Sequence, residues 1–162
     1  MIQRIQTIFL ILFITSIIST FFFPVWQKIE MAEVSDDIKI IATGYISSTF
    51  VEEKGLKGIV YDHFHVSGLL ILSCLIALFS IFSYKNRMRQ IQLGMVNALL
   101  TSLVIFYFLY DIFYKELYID INDKISFLIS FYFIFLAIFF NFLSNRFIRK
   151  DEYLVRESDR IR

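Results

Sequence analysis

The sequence predicts an all-α membrane protein: a four-transmembrane-helix bundle with a small extracytoplasmic β hairpin or cap between helices 1 and 2. Three observations carry that expectation. Four apolar runs of 19–20 residues, at 5–23, 66–84, 91–110 and 125–143, divide the chain. Each is about as long as a helix must be to cross a bilayer core. Hydrophobic residues make up 57% of the chain against 19% charged, and the charges are gathered between the runs instead of being dispersed as on a soluble domain. The gathered charges also differ in sign from one connection to the next, which orients the bundle. At 162 residues the chain forms a single integral membrane domain.

The first run follows a short N-terminus with one cation, Arg4. It is longer than the core of a secretory signal, and no small-x-small cleavage site follows it, so it reads as an uncleaved span. Phe21, Phe22, Phe23 and Trp26 close it with the aromatics favoured at headgroup level, and Pro24 discourages further helix. Residues 27–64 form the longest polar segment. Ile38–Ile46, Thr49–Val51 and Ile59–Tyr61 are β-rich there, with turn residues at Glu52–Gly55 and Lys57–Gly58. That pattern predicts a hairpin or three-stranded cap.

Lys85-Asn86-Arg87-Met88-Arg89-Gln90 separates the second run from the third. A connection so short joins antiparallel neighbours, and its three cations mark it as cytoplasmic. The third run is expected to continue as helix through Asp111 towards Lys115. Residues 116–124 are a short, mostly acidic loop. After the Phe-rich fourth run, residues 146–162 form a charged tail. In it Phe147, Leu154 and Ile161 recur every seven residues and Glu152 pairs with Arg156 at i,i+4. The tail should be helical and continuous with the fourth span.

The N-terminus, central turn and tail together hold ten Lys/Arg in about 30 residues, while residues 27–64 and 111–124 hold six, with eleven acids, in about 52. Both termini are therefore expected in the cytoplasm and the 27–64 segment outside.

Helices in lipid gain nothing from the hydrophobic effect, so small and weakly polar residues mark contact faces. The stripes are Thr15, Ser16, Ser19 and Thr20; Ser73, Ala77 and Ser80; Gly94, Asn97, Ala98, Thr101 and Ser102; and Ser126, Ser130, Ala137 and Asn141. Gly94-x-x-x-Ala98 suits an internal contact, or pairing with a second copy of the chain.

Few residues suggest chemistry. Asn97 and Asn141 are the most polar side chains at depth. The plainer role for them is an interhelical hydrogen bond, and the sharper one is to line a cavity. No Asp, Glu, Lys or Arg lies mid-span, which argues against ion-coupled transport. His63 and His65 are weak metal candidates: on a strand they would share a face, with Glu52 or Glu53 in reach. Two histidines so close in sequence cannot serve as axial haem ligands on facing helices. Cys74 stands alone, which removes disulfide-shuttling chemistry. Without a phosphate-binding loop or nucleophile elbow, no enzyme activity and no cofactor are expected. Nucleic acid is not an expected partner. Lys85, Arg87, Arg89, Arg146, Arg149 and Lys150 form basic surfaces suited to anionic lipid or to a protein partner.

Three patches are distinctive: Met1-Ile2-Gln3-Arg4-Ile5-Gln6-Thr7, Asn86-Arg87-Met88-Arg89-Gln90, and Lys150-Asp151-Glu152-x-Leu154-Val155-Arg156-x-x-Asp159-Arg160-x-Arg162. With them the chain resembles domain-of-unknown-function family 4293, small four-span inner-membrane proteins of Gram-negative bacteria. The resemblance covers essentially the whole chain. It implies a multi-pass inner-membrane location and no particular activity. The resulting expectation is a non-enzymatic accessory or scaffold subunit working through its cytoplasmic basic surfaces. The alternative is a binder or transporter of a lipid or apolar small molecule within the bundle. Expected partners are the bilayer, a membrane or cytoplasmic protein, and a second copy.

Overall fold

The computed structural model describes residues 3–31, 38–53, 56–84, 86–114 and 124–160. Four helices carry most of the described chain: α1 (Gln3–Thr20), α2 (Phe64–Phe82), α3 (Arg87–Tyr114) and α4 (Ile129–Arg160). Five strands complete it: β1 (Trp26–Met31), β2 (Ile38–Gly44), β3 (Ser48–Glu53), β4 (Leu56–Asp62) and β5 (Lys124–Phe127). The helices pack in a closed ring, with α1 against α2, α2 against α3, α3 against α4 and α4 against α1. Three of them, over Phe64–Phe82, Arg87–Ile112 and Ile129–Val155, are long and apolar enough to cross a membrane. In α1 the apolar stretch, Ile5–Thr20, is shorter.

The outward surface of the ring explains its solvent. Ile11, Leu72, Phe79, Leu99, Phe106 and Phe139 are all exposed. A belt of such side chains would be untenable in water, and it marks a membrane protein. Inside, Leu10, Phe13, Ile17, Leu70, Val104, Phe108 and Ile134 are buried.

The small-residue faces turn inward at most of the expected positions. Ser73, Ala77 and Ser80 are buried on α2, Asn97 and Thr101 on α3, and Ser130, Ala137 and Asn141 on α4. Two positions depart. Thr15 is exposed and returns its hydroxyl to the Ile11 carbonyl at 3.0 Å, which lets a hydroxyl face lipid without an unmet donor. Ser126 lies in β5, where its hydroxyl donates to the Gln27 carbonyl at 3.3 Å.

The β cap is larger than a three-stranded unit. It is one antiparallel sheet in the order β4-β3-β2-β1-β5. β1 lies between β2 and β5, with Trp26 opposite Gly44 on one side and Phe127 on the other. The Trp26 indole lies across Gly44 where a β-carbon would stand, so only glycine fits that position. β5 comes from the connection between α3 and α4, so residues 125–127 are strand and the fourth helix starts only at Ile129. The expected start of that span at 125 is corrected accordingly: Lys124–Phe127 spends its backbone bonds on β1, leaving none for a helix.

Helix ends are closed by neighbours. Ser130 at the start of α4 donates to the Phe23 carbonyl at 2.6 Å, just past the end of α1. Gln90 donates to the Ser80 carbonyl in the last turn of α2 at 2.8 Å. The Asn86 side-chain oxygen accepts from the Arg89 amide at 3.2 Å, an N-cap that starts α3. The connection between α2 and α3 is thus shorter than 85–90, because Arg87 to Gln90 already form the first turn of α3. At the far end α4 runs unbroken through the tail to Arg160, and α3 continues past Asp111 to Tyr114, both as expected.

Candidate functional site

The most heavily built polar site joins the sheet to the bundle. β4 ends at Asp62, and His63 precedes the first residue of α2. Its amide donates to the Ser47 carbonyl at 2.7 Å, while its own carbonyl accepts from Val66 at 2.9 Å. The backbone therefore has one position here and the imidazole one direction. Its Nε2 is 2.9 Å from the Thr49 hydroxyl on β3, and its Nδ1 is 2.9 Å from the Tyr107 hydroxyl on α3. A neutral imidazole has one N–H and one bare nitrogen. One hydroxyl then accepts from the ring and the other donates to it. Asp111, one turn beyond Tyr107, places Oδ2 3.8 Å from His63 Nε2. His63 is 1% exposed, and Thr49 and Asp111 are 0% exposed.

Sheet alternation delivers Thr49. Trp26, Lys28, Ala42, Gly44 and Thr49 share the buried face of the sheet. Glu52 falls on the opposite face by the same alternation, away from His63. The side chain of Glu53 lies outside the described set. His63 and His65 do not share a strand face as the metal reading required. With α2 beginning at Phe64, His63 is buried and His65 is exposed. Their ring centroids are 6.4 Å apart and nearly perpendicular, and His65 packs edge-on against Tyr107 at 4.7 Å. Among the described residues, no three His, Cys, Asp or Glu converge as a metal site would need.

The asparagines sit in the bundle interior. Asn141 donates to the Gly94 carbonyl on α3 at 2.8 Å, and Asn97 accepts from Ser73 on α2 at 3.3 Å. A β-carbon at Gly94 would overlap the Asn145 side chain of α4. The Gly94 stripe therefore serves a contact inside the chain. Asn97 Nδ2 and Asn141 Oδ1 are buried without a hydrogen-bond partner among the described residues.

The basic residues gather at the opposite end from the sheet. Arg87 reaches Asp151 on α4 twice: Nη2 is 3.1 Å from the carboxylate, and Nη1 donates to the Asp151 carbonyl at 2.9 Å. Arg89, Arg146, Arg149 and Lys150 are exposed. Lys85 lies outside the described residues. Phe142, Asn145, Arg146 and Arg149 line a half-open groove of about 250 Å³ on one face of α4.

Reasoning from sequence missed Thr49, Tyr107 and Asp111. A signal for them existed. Gln90, Gly94, Asn97, Thr101, Val104, Phe108 and Asp111 follow an alternating four-three spacing, and all are buried on α3. Asp111 at the end of that stripe called for a polar partner outside the bundle proper.

A family described as Domain of unknown function (DUF4293) matches the chain over residues 2–161. No curated protein matches it.

Proposed function

The chain belongs to the Domain of unknown function (DUF4293) family, and we propose that it is a four-span inner-membrane protein acting as a non-enzymatic accessory or scaffold subunit. Both termini lie in the cytoplasm and the sheet caps the bundle outside. The orientation rests on the cation count, ten against six, across the two sets of connections.

One observation carries the scaffold role: α4 does not stop at the membrane. From Ile129 a helix rising 1.5 Å per residue spends a core of about 30 Å in roughly 20 residues. The remainder projects as a helical arm, and the double contact of Arg87 with Asp151 fixes it against α3. An arm held in one geometry, with Tyr153 65% exposed and Leu154 44% exposed among charged neighbours, suits the docking of a cytoplasmic protein. Arg89 and Lys150 add charge beside it. Extraction in native-lipid particles followed by proteomics tests this. A stoichiometric partner lost on truncation after Lys150 is expected. A strictly monomeric protein that copurifies with no other sinks the proposal.

A binder of lipid or of another small molecule within the bundle is second. It draws on Asn97 Nδ2 and Asn141 Oδ1, which have no hydrogen-bond partner among the described residues. Lipidomics of the same particles separates the two: a single retained ligand lost on Asn97→Leu favours the second.

A further inference from the structure

We propose that the groove at the root of the tail holds the phosphodiester headgroup of an anionic phospholipid from the inner leaflet. The proposal rests on the orientation given above. Phe142, Asn145, Arg146 and Arg149 occupy one face of α4 at i, i+3, i+4 and i+7 spacing and enclose about 250 Å³, half open to the surroundings. The two guanidiniums are three residues apart and both exposed, so their N–H groups are available to one acceptor. Asn145 is held in the groove because its carboxamide lies over Gly94 of α3, where any β-carbon would displace it. Phe142 stands one turn towards the sheet end, exposed on the apolar belt.

Depth places these groups. Counted from Ile129, Phe142 falls within the hydrocarbon, whereas Arg146 and Arg149 reach the level where a core of about 30 Å gives way to headgroups. The order along the helix is therefore aromatic, amide, cation, cation. A phospholipid has the same order: acyl chain, ester, phosphate. Arginine forks favour phosphate oxygens over the compact charge of a lysine site. A net negative headgroup is selected over a zwitterionic one, because no described acid lines the groove to meet an ammonium group.

The test uses the full chain, purified from detergent. Native mass spectrometry follows its binding of phosphatidylglycerol and of phosphatidylethanolamine, with inorganic phosphate as competitor. Preferential retention of phosphatidylglycerol is expected. It should weaken on the order of tenfold in Arg146→Gln/Arg149→Gln and only partly in Arg146→Lys/Arg149→Lys. Arg4→Gln removes a cation outside the groove, on the same expected side of the membrane, and should leave retention unchanged. Equal loss in Arg4→Gln means that net charge alone holds the lipid, and it overturns the groove. Displacement by millimolar phosphate assigns the site to a free anion and also overturns it. Labelling of Tyr153→Cys with an impermeant maleimide, in a Cys74→Ser background, separates the two levels of failure. Lipid loss of the wrong pattern with the tail inside refutes the groove alone, whereas a tail labelled from outside refutes the orientation beneath it.

Discussion

Replacing His63 with leucine tests whether the sheet is fastened to the bundle by a single side chain. Leucine nearly fills the imidazole volume, so cavity cost is small and polar cost dominates. Two hydrogen bonds go, to Thr49 and to Tyr107, each at 2.9 Å. Net, each is worth about 1 kcal/mol. Thr49 is 0% exposed, so its hydroxyl loses an imidazole and cannot reach water; a stranded buried group costs about 1–3 kcal/mol. The expected loss is about 2–4 kcal/mol, concentrated at the junction. At about 1.4 kcal/mol per tenfold, local opening should rise roughly 30- to 1,000-fold. Hydrogen exchange of peptides covering β3 and the start of α2, measured in lipid nanodiscs, reads this directly. Exchange in the half of α4 away from the sheet should not change. Thr49→Val should cost about 1 kcal/mol alone and little more in the double variant, since both changes remove the same bond. If His63→Leu raises exchange at β3 less than threefold, the histidine is not the fastener and the sheet is held by apolar packing around Trp26.

Two further outcomes concern the interior. Asn141→Leu removes the 2.8 Å bond to the Gly94 carbonyl and should cost about 0.6–2 kcal/mol, read as a lower unfolding midpoint in mixed micelles. Gly94→Leu must displace the Asn145 carboxamide and part α3 from α4, an overpacking cost of about 1–3 kcal/mol in the same assay. Gly94→Ala should cost less, because what it meets is the end of one side chain.

The helices were legible because a bilayer imposes a length. An apolar run either reaches across or does not, and the cations between runs mark its ends. The tail was legible for a related reason: its period continues that of the fourth span. The sheet was half legible. Ile38–Ile46 and Thr49–Val51 carry β-branched and aromatic residues within one loop, and they fall within or across β2 and β3. β1 and β5 pair across about 100 residues of sequence, and nothing local announces that. Trp26 reads equally well as an interfacial aromatic, and Ile125-Ser126-Phe127 merges into the phenylalanine-rich run after it. The histidines were noticed for the wrong geometry. A strand would have put His63 and His65 on one face. The helix that starts at Phe64 separates them and leaves His63 to hydroxyls of β3 and α3, whose approach depends on how sheet and bundle meet.

α3 is fastened at both ends by different chemistry, and the two fasteners should act independently. At the sheet end Tyr107 meets His63. At the end away from the sheet Arg87 meets Asp151. They are 20 residues apart on one helix, about 30 Å, well beyond the distance at which substitutions cease to share partners. Between them Val104 and Ile105 are buried among apolar neighbours that resemble lipid, and such packing by itself defines helix register poorly. Register is set at the ends and, between them, by the bonds of Asn97 to Ser73 and of Asn141 to the Gly94 carbonyl. Arg87→Gln should free the arm and raise exchange beyond Asp151 several-fold. It should cost about 0–1 kcal/mol overall, because the pair is only partly buried. Combined with His63→Leu, its cost should add within about 0.5 kcal/mol. A coupling above about 1 kcal/mol, of either sign, would show that α3 slides as a rigid rod between its two attachments. The sheet and the arm would then report on one another.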